Sequence, residues 1–311
     1  MPEWVTERGI GETRHALIED GGIVEARIEL DGISPAGAIL EARLLAGGRN
    51  AVARARDGLE YLLPRGAPGV AEGGALTIEV TRSRIPGSEP WKRPLAKLSD
   101  GAARDLLNIN GRPAAGNELG SAGWDDLVEQ ARCGIVRFAG GELRIEATAA
   151  MTVIDIDGHL PPEELAVRGA GEAARAIRRL DIGGSIGIDL PTGGSKSERQ
   201  AAAAAIDEHL PQPFERTAVN GFGFVQIVRP RQRASLIELA LDRATFEARA
   251  LLRRVAFEAP GPKRLAVHPS VASVLEAQPD WLDALARKVG GAIALRPDAT
   301  LPISGGYAES P

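Results

Sequence analysis

Cysteine, histidine, lysine and aromatic residues are all scarce in this sequence. Its 311 residues include one cysteine, four histidines and only 4% aromatic residues. A single cysteine, Cys133, excludes an internal disulfide and a cysteine-rich zinc site, and we expect it to be a small buried residue. The sequence also lacks an apolar run of membrane-spanning length and a basic-then-apolar start. These absences predict a cytoplasmic protein.

The charged residues exclude one way of binding nucleic acid and leave another open. The formal net charge is −5, so no global basic field attracts a polyanion. Of 37 Lys+Arg residues five are lysine, which leaves 37 − 5 = 32 arginines. Arginine binds phosphate through a planar fork, although a genome rich in G and C explains the same excess. Any contact with nucleic acid must therefore come from local clusters of arginine.

Short apolar runs between Gly-rich turns fill the first hundred residues. Residues 12–29 predict a β-hairpin, and the short strands between residues 38 and 81 have the even spacing of a small β-barrel. Residues 99–123 are polar and Gly-rich, which predicts a loosely structured connection. Residues 124–132 predict a short helix.

Beyond Gly134 the sequence predicts strands that alternate with helices. A hairpin at residues 135–146 precedes a strand ending at Asp155, a helix at residues 163–180 and a strand ending at Asp189. This strand-helix-strand order is long enough for a right-handed crossover, which makes the two strands parallel. The later predictions are a capping box at Ser195 and Glu198, helices at residues 199–210, 240–258 and 271–289, and strands at residues 224–228, 263–268 and 292–296.

Two aspartates end the predicted parallel strands. Asp155 and Asp189 each follow a β-branched run and precede residues that break a strand. A strand-terminal aspartate is often a helix cap or a turn former, and that explanation stays open for each of them. On neighbouring strands, however, the two carboxylates would share one Mg²⁺ and support metal-assisted phosphodiester cleavage. Without a metal, two buried like charges would repel each other.

Five segments in a fixed order resemble the RNase E/RNase G family of endoribonucleases. The segments are residues 13–21 (TRHALIEDG), 145–155 (IEATAAMTVID), 172–178 (EAARAIR), 183–189 (GGSIGID) and 222–236 (FGFVQIVRPRQRASL). Each segment alone is weak, but their order over most of the chain is fairly specific.

The resemblance implies a mixed α/β fold of four domains. An RNase H-like domain (residues 1–35 and 99–135) is split by an OB-fold RNA-binding barrel (residues 36–98). A DNase I-like α/β catalytic domain follows at residues 136–236, and a small C-terminal α/β domain follows at residues 237–311. The implied activity is Mg²⁺-dependent hydrolysis of phosphodiester bonds in single-stranded RNA, in RNA processing or decay.

The resemblance also implies roles for individual residues. Asp155 and Asp189 would bind one Mg²⁺ against the scissile phosphate. Asp157 stands where the family usually has Asn, so it is either a third metal ligand, a change that slows catalysis, or a turn residue before Gly158. Thr192 replaces an acid that many family members have.

Four basic residues are candidates for binding RNA. Arg229, Arg231 and Arg233 alternate, so on one strand they would point to one face and contact phosphates, unless that face is only a solvated edge. Lys92 roughly fits a family lysine near the phosphate, although a lysine on the barrel surface explains it as well.

Several departures from the family keep a second hypothesis open. Residues 99–135 are too few for the family's sensor of RNA 5′ ends, and the paired cysteines of its zinc link are absent, which leaves a homodimer through residues 240–311. Near residues 59–64 of the barrel Tyr61 is the only ring, although binding of single strands normally relies on stacking. The alternative is therefore an RNA-binding or scaffold protein of the same fold with weak or no catalytic activity.

Overall fold

The computed structural model of the chain describes residues 1–86, 91–104, 111–191 and 195–310. Within these residues the fold is mixed α/β, as the sequence predicts. The strands are β1 (Glu3–Arg8), β2 (Glu12–Glu19), β3 (Gly22–Leu30), β4 (Ile39–Ala46), β5 (Ala51–Ala55), β6 (Glu60–Leu63), β7 (Ala75–Arg82), β8 (Leu95–Leu98), β9 (Arg112–Pro113), β10 (Ile135–Phe138), β11 (Gly141–Ala147), β12 (Thr152–Gly158), β13 (Gly184–Asp189), β14 (Glu215–Arg216), β15 (Phe224–Arg229), β16 (Lys263–Val267), β17 (Ile293–Pro297) and β18 (Tyr307–Glu309). The helices are α1 (Glu118–Ser121), α2 (Trp124–Cys133), α3 (Pro162–Arg179), α4 (Lys196–His209), α5 (Leu236–Leu241), α6 (Arg243–Ala256), α7 (Pro269–Glu276) and α8 (Pro279–Val289).

The chain divides into two compact units. The first unit comprises residues 1–31, 111–132 and 238–311, and the second comprises residues 32–110 and 133–237. The four domain boundaries implied by the family resemblance stay predictions. No helix within the described residues has both the length and the apolar character needed to cross a bilayer.

The first unit contains the predicted N-terminal hairpin. β2 and β3 pair antiparallel, and Asp20 and Gly21 between them have φ values of 50° and 81°. A two-residue hairpin turn of this kind requires positive φ at both positions, so the sequence Asp-Gly determines the turn. The hairpin prediction is confirmed, and β1 and β9 extend it to the four-stranded order β3-β2-β1-β9.

The last part of the first unit packs helices on the three-stranded sheet β17-β16-β18. Apolar residues of α6, α7, α8 and β16 form one core. The two long helices predicted here are each divided. Asp242 caps α6 by accepting a hydrogen bond from the Thr245 N–H, and Pro279 stands at the first turn of α8. Proline lacks an N–H and favours the first turn of a helix, so a new helix starts at Pro279. The apolar period of the sequence continues across this break in the backbone.

A buried network of ion pairs also stabilises the first unit. Glu7 accepts hydrogen bonds from Arg14 at 2.8 Å and from Arg253 at 3.0 and 3.1 Å. All three side chains are buried, so each charge depends on its partners for solvation.

Cys133 was expected to be buried, and this expectation is wrong. The thiol is exposed at the end of α2. The buried stripe of that helix consists of Trp124, Leu127, Val128 and Ala131, and position 133 falls outside it.

In the second unit, β4 to β8 form a closed barrel with the strand order β4-β5-β6-β8-β7. Its interior contains small and branched apolar residues, such as Leu44, Leu63 and Ile78. Along the strands these residues alternate with outward-facing polar ones. A closed five-stranded barrel is consistent with the OB-fold prediction. Ser83, the residue after β7, contacts the rest of the unit. Its N–H donates a hydrogen bond to the Gln232 carbonyl at 2.8 Å.

The rest of the second unit is a six-stranded sheet with the order β10-β11-β12-β13-β15-β14. β12 and β13 run parallel and are joined through α3, which confirms the predicted crossover. α4 begins at the predicted capping box, where the Glu198 N–H donates to Ser195 Oγ and the Ser195 N–H donates to Glu198 Oε2. Helix and strand boundaries around the two aspartates thus follow from local sequence.

Candidate active site

Two aspartates lie side by side on neighbouring strands of the six-stranded sheet. The register of β12 and β13 places Asp155 opposite Asp189. Adjacent strands are about 4.8 Å apart, so these two backbone positions are immediate neighbours. Asp189 ends β13 as predicted, whereas β12 continues past Asp155 to Gly158. The sequence expectation that the two residues come together is confirmed, and their catalytic role stays a prediction.

Both aspartates lie on the face of the sheet that α3 does not cover. Ile154 and Ile156 are buried, and a Cβ on Gly169 of α3 would lie 2.5 Å from Ile156 Cγ2. Because side chains alternate along a strand, Asp155 and Asp157 point to the opposite face. Asp189, which is in register with Asp155 on β13, lies on the same face. The sheet therefore presents carboxylates on its uncovered side.

Neither aspartate of the pair is buried, which corrects the expectation of two buried like charges. Asp189 is exposed, and Asp155 is partly exposed. The reason is that the uncovered face gives water access to both carboxylates. Partial burial nevertheless raises the pKa of Asp155, and repulsion by the carboxylates of Asp157 and Asp189 raises this pKa further.

Arg144 and Glu142 of β11 complete this surface. Arg144 pairs in register with Asp155, and Glu142 pairs with Asp157. Arg144 Nε lies 3.7 Å from Asp157 Oδ2, and Arg144 Nη2 donates to Glu142 at 2.8 Å. We call the four carboxylates, of Glu142 and the three aspartates, together with Arg144, the acid patch. Four negative charges and one positive charge leave an excess of negative charge, which repels a phosphate unless a cation binds there.

The acid patch fits a cation that needs few protein ligands. Within the described residues, no group of three or more His, Cys, Asp or Glu side chains has the arrangement of a metal site. Asp157 is 64% exposed and contacts Arg144, so the geometry gives no support to a third-ligand role. Mg²⁺ usually binds proteins through one or two carboxylates and keeps waters or substrate phosphates as its other ligands. Asp155 and Asp189 would supply two such carboxylates. Thr192, which replaces a family acid, lies outside the described residues.

Arg229 lies at the opposite end of the sheet from the acid patch. It ends β15 and pairs with Gly184, five positions before Asp189 on β13. At about 3.3 Å per residue, that offset is roughly 16 Å. Arg229 Nη1 donates to the Ile182 carbonyl at 3.1 Å and lies 3.8 Å from Asp181.

Arg231 and Arg233 lie beyond β15, so the expectation that the three arginines share one strand face is wrong. Pro230 follows the strand and cannot donate a ladder hydrogen bond, which explains the end of the strand. Arg233 Nη1 binds Asp181 at 2.9 Å, and both side chains are largely buried. Arg231 is partly buried and packs over Gly183. These contacts stabilise the fold, and an RNA-binding role for the three arginines stays a prediction.

Tyr61 and Lys92, the barrel residues considered from the sequence, differ in their exposure to solvent. Tyr61 is buried and donates a hydrogen bond to Asp57 at 2.6 Å, and burial together with this bond raises the pKa of Tyr61. Its ring is therefore not available for stacking. Lys92 is exposed just before β8, and the neighbouring Trp91 is 75% exposed. Trp91 was not assigned a role from the sequence, although a tryptophan beside basic residues is a recognisable signal for binding of single strands.

Known proteins that are similar to this chain are named ribonucleases. Ribonuclease G of Escherichia coli (strain K12) is 32% identical over 110 residues, a match that covers 32% of this chain and 22% of that protein. Ribonuclease G of Haemophilus influenzae is 34% identical over 116 residues, which covers 33% of this chain and 24% of that protein. No protein-family model matches the chain. The matches span less than a quarter of these relatives, and they support an RNase E/G-like relationship over about a third of the chain.

Two phenylalanines beside the acid patch were not assigned a role from the sequence. Phe224 pairs in register with Asp189, and its ring lies over Gly187, where a Cβ would be 2.5 Å from the ring carbon Cζ. Gly187 thus leaves room for an aromatic ring on the open face of the sheet. Phe222, two residues earlier, is 81% exposed. The family resemblance identified Phe222 and Gly223 as a match, but periodicity alone gives no signal for an exposed ring.

Proposed function

We propose that this protein is a Mg²⁺-dependent endoribonuclease that hydrolyses phosphodiester bonds in single-stranded RNA. The observation that carries the proposal is the register of β12 and β13, which pairs Asp155 with Asp189 on an uncovered sheet face. The partial similarity to proteins named Ribonuclease G supports the choice of RNA as substrate. The whole activity of those relatives is extended to this chain only as part of the proposal.

The proposed chemistry depends on the excess negative charge of the acid patch. Asp155 and Asp189 would hold Mg²⁺, which would supply Lewis-acid polarisation of the scissile phosphate and a lowered pKa of a bound water. Burial and the neighbouring carboxylates of Asp157 and Asp189 raise the pKa of Asp155. With a cation held by Asp155 and Asp189, this repulsion would be offset and the acid patch would accept a phosphate. Arg144 holds Asp157 and Glu142 at the edge of the site.

Binding of the substrate strand is assigned to the second unit as a whole. The barrel surface near Lys92 and the arginines 229, 231 and 233 are the proposed contacts with RNA phosphates, although the arginines also have structural partners. Because phosphate contacts dominate affinity, RNA binding should weaken steeply with salt. A homodimer through residues 237–311 is a further part of the proposal, and sedimentation equilibrium of the full chain tests it.

A cleavage assay on a labelled unstructured RNA tests the proposed function. The wild-type chain should cleave in Mg²⁺ and fail to cleave in EDTA, and Asp155→Asn should fail in both conditions. Cleavage by the wild-type chain in EDTA as well as in Mg²⁺, together with cleavage by Asp155→Asn, would exclude the metal mechanism. Binding of the RNA without cleavage under any condition would instead favour a catalytically inactive RNA-binding or scaffold protein of the same fold.

A further inference from the structure

An exposed aromatic ring stands next to the acid patch. Phe222 precedes β15 and is 81% exposed, although phenylalanine is among the residue types most often fully buried. Phe224, two residues later, pairs with Asp189. Antiparallel partners are about 5 Å apart and two extended residues span at most about 7 Å, so the Cα atoms of Phe222 and Asp189 are within roughly 12 Å. The ring is therefore within reach of a nucleotide whose phosphate lies at the aspartates.

The loop that carries Phe222 is held in one conformation. The side-chain oxygen of Asn220 accepts hydrogen bonds from the N–H groups of Phe222 at 2.9 Å and Phe224 at 3.0 Å. Gly223 has φ 87°, and a Cβ there would meet the Leu190 carbonyl at 2.5 Å. The Gly223 carbonyl accepts from the Leu190 N–H at 3.2 Å, directly after Asp189. A ring fixed on such a loop loses little entropy when a ligand stacks on it.

A cavity of about 200 Å³ opens beside the same loop. Its lining includes Leu190 and Pro191 after β13, and Gly221 and Gly223 on either side of Phe222. Residues of α3 and α4 complete the lining, among them Glu163 and Arg199. The cavity gives a planar, partly apolar group space beside this loop, with polar groups at its edge.

We infer that Phe222 stacks on a nucleobase of the RNA strand whose phosphate lies at Asp155 and Asp189. The inference rests on the proposed function and adds a base contact to it. An aromatic face suits this task because every base has a π-face, so the contact is tolerant of sequence. The contact compensates for the barrel ring Tyr61, which is buried and bound to Asp57.

The test separates a base contact from a phosphate contact. All variants keep Asp155 and Asp189, so the proposed cation site is intact, and binding is measured by fluorescence anisotropy in Mg²⁺ at low temperature, with gel electrophoresis confirming that the RNA is still uncleaved. The probes are a labelled decamer of adenosine nucleotides and a decamer of the same length with abasic ribose at every position. Stacking contributes roughly a 5- to 150-fold increase in affinity per base. Phe222→Ala should therefore weaken binding of the RNA at least about fivefold and leave binding of the abasic strand unchanged.

Two further variants make the result specific. Phe222→Trp should keep the parental affinity, since it preserves an aromatic face. Val228→Ala removes an exposed apolar side chain within β15. It should leave the affinities for the RNA and for the abasic strand unchanged. Circular dichroism melts of each variant confirm that the fold is kept.

Each other outcome overturns the inference. Equal losses of Phe222→Ala on both strands would assign the residue to loop structure, and no loss on the RNA would remove it from the interface. A loss in Trp91→Ala with none in Phe222→Ala would assign the stacking to the barrel. If the wild-type chain neither binds nor cleaves RNA, the proposed function fails as well, whereas cleavage with an inert Phe222 overturns only the base contact.

Discussion

Replacing Asp155 by asparagine should change stability in opposite directions with and without Mg²⁺. Without the cation, partial burial of the Asp155 carboxylate and its repulsion by Asp157 and Asp189 raise its pKa in the folded state. A raised carboxyl pKa means that folding is penalised above that pKa, and the penalty disappears as the pH falls through it. Asparagine removes the penalty at neutral pH. In EDTA, Asp155→Asn should therefore be more stable than the wild-type chain.

The magnitude follows from the geometry and the exposure of the pair. Two charges about 4 to 5 Å apart in a water-like dielectric repel by about 1 kcal/mol. The exposure of Asp189 justifies the high dielectric constant. A gain of that size raises Tm by about 2–4 °C for a protein unit of 150–250 residues. Mg²⁺ reverses the order, because at ten times its Kd it stabilises the wild-type chain by about 1.4 kcal/mol, or about 3–6 °C.

Differential scanning fluorimetry of both proteins in EDTA and across a Mg²⁺ titration measures these shifts. Asp157→Asn is the matched control, because Asp157 contacts Arg144 rather than completing the aspartate pair. It should gain stability in EDTA and retain the Mg²⁺-dependent rise, which Asp155→Asn should lose. A variant Asp155→Asn that is destabilised in EDTA and still responds to Mg²⁺ like the wild type would refute the reasoning.

Three other predictions concern pH, packing and the buried charges. Because the pKa of Asp155 is raised, cleavage should decline with acid at a higher pH than for an ordinary aspartate. A higher Mg²⁺ concentration should move this decline to lower pH. Coinciding pH–rate profiles at two Mg²⁺ concentrations would contradict this expectation. Gly187→Ala forces a Cβ against the Phe224 ring, so we expect a loss of about 1–3 kcal/mol in urea unfolding and reduced cleavage, and an unchanged midpoint would count against the packing argument. Arg253→Met leaves Glu7 with Arg14 alone, and it should destabilise the protein by about 3 kcal/mol; a neutral effect would show that the buried network contributes little.

Local sequence was enough to predict much of the second unit. The apolar period of α3, the capping box of α4 and the β-branched runs that end at the aspartates lead to the observed elements, because each depends on residues a few positions apart. The crossover rule then made β12 and β13 parallel. Breaks such as the one at Pro279 were missed, since an apolar period can continue across an interruption of the backbone.

Burial and side-chain partners were not predictable in the same way. The alternation of Arg229, Arg231 and Arg233 suggested one exposed strand face, but Pro230 ends the strand and Asp181, distant in sequence, binds two of these arginines. The register that pairs Phe224 with Asp189 is also a property of the assembled sheet. This register depends on the turn at Gly223, which aligns β15 with β13 although the two strands are far apart in the sequence.

The sequence by itself determined which residues carry negative charge on two neighbouring strands and that these strands run parallel. Only the tertiary structure decided that the carboxylates share an uncovered face, that water reaches them, and that an exposed ring stands beside them. The physical reason is that strand identity depends on local periodicity, whereas solvation and charge repulsion depend on which distant segments cover each face of the sheet.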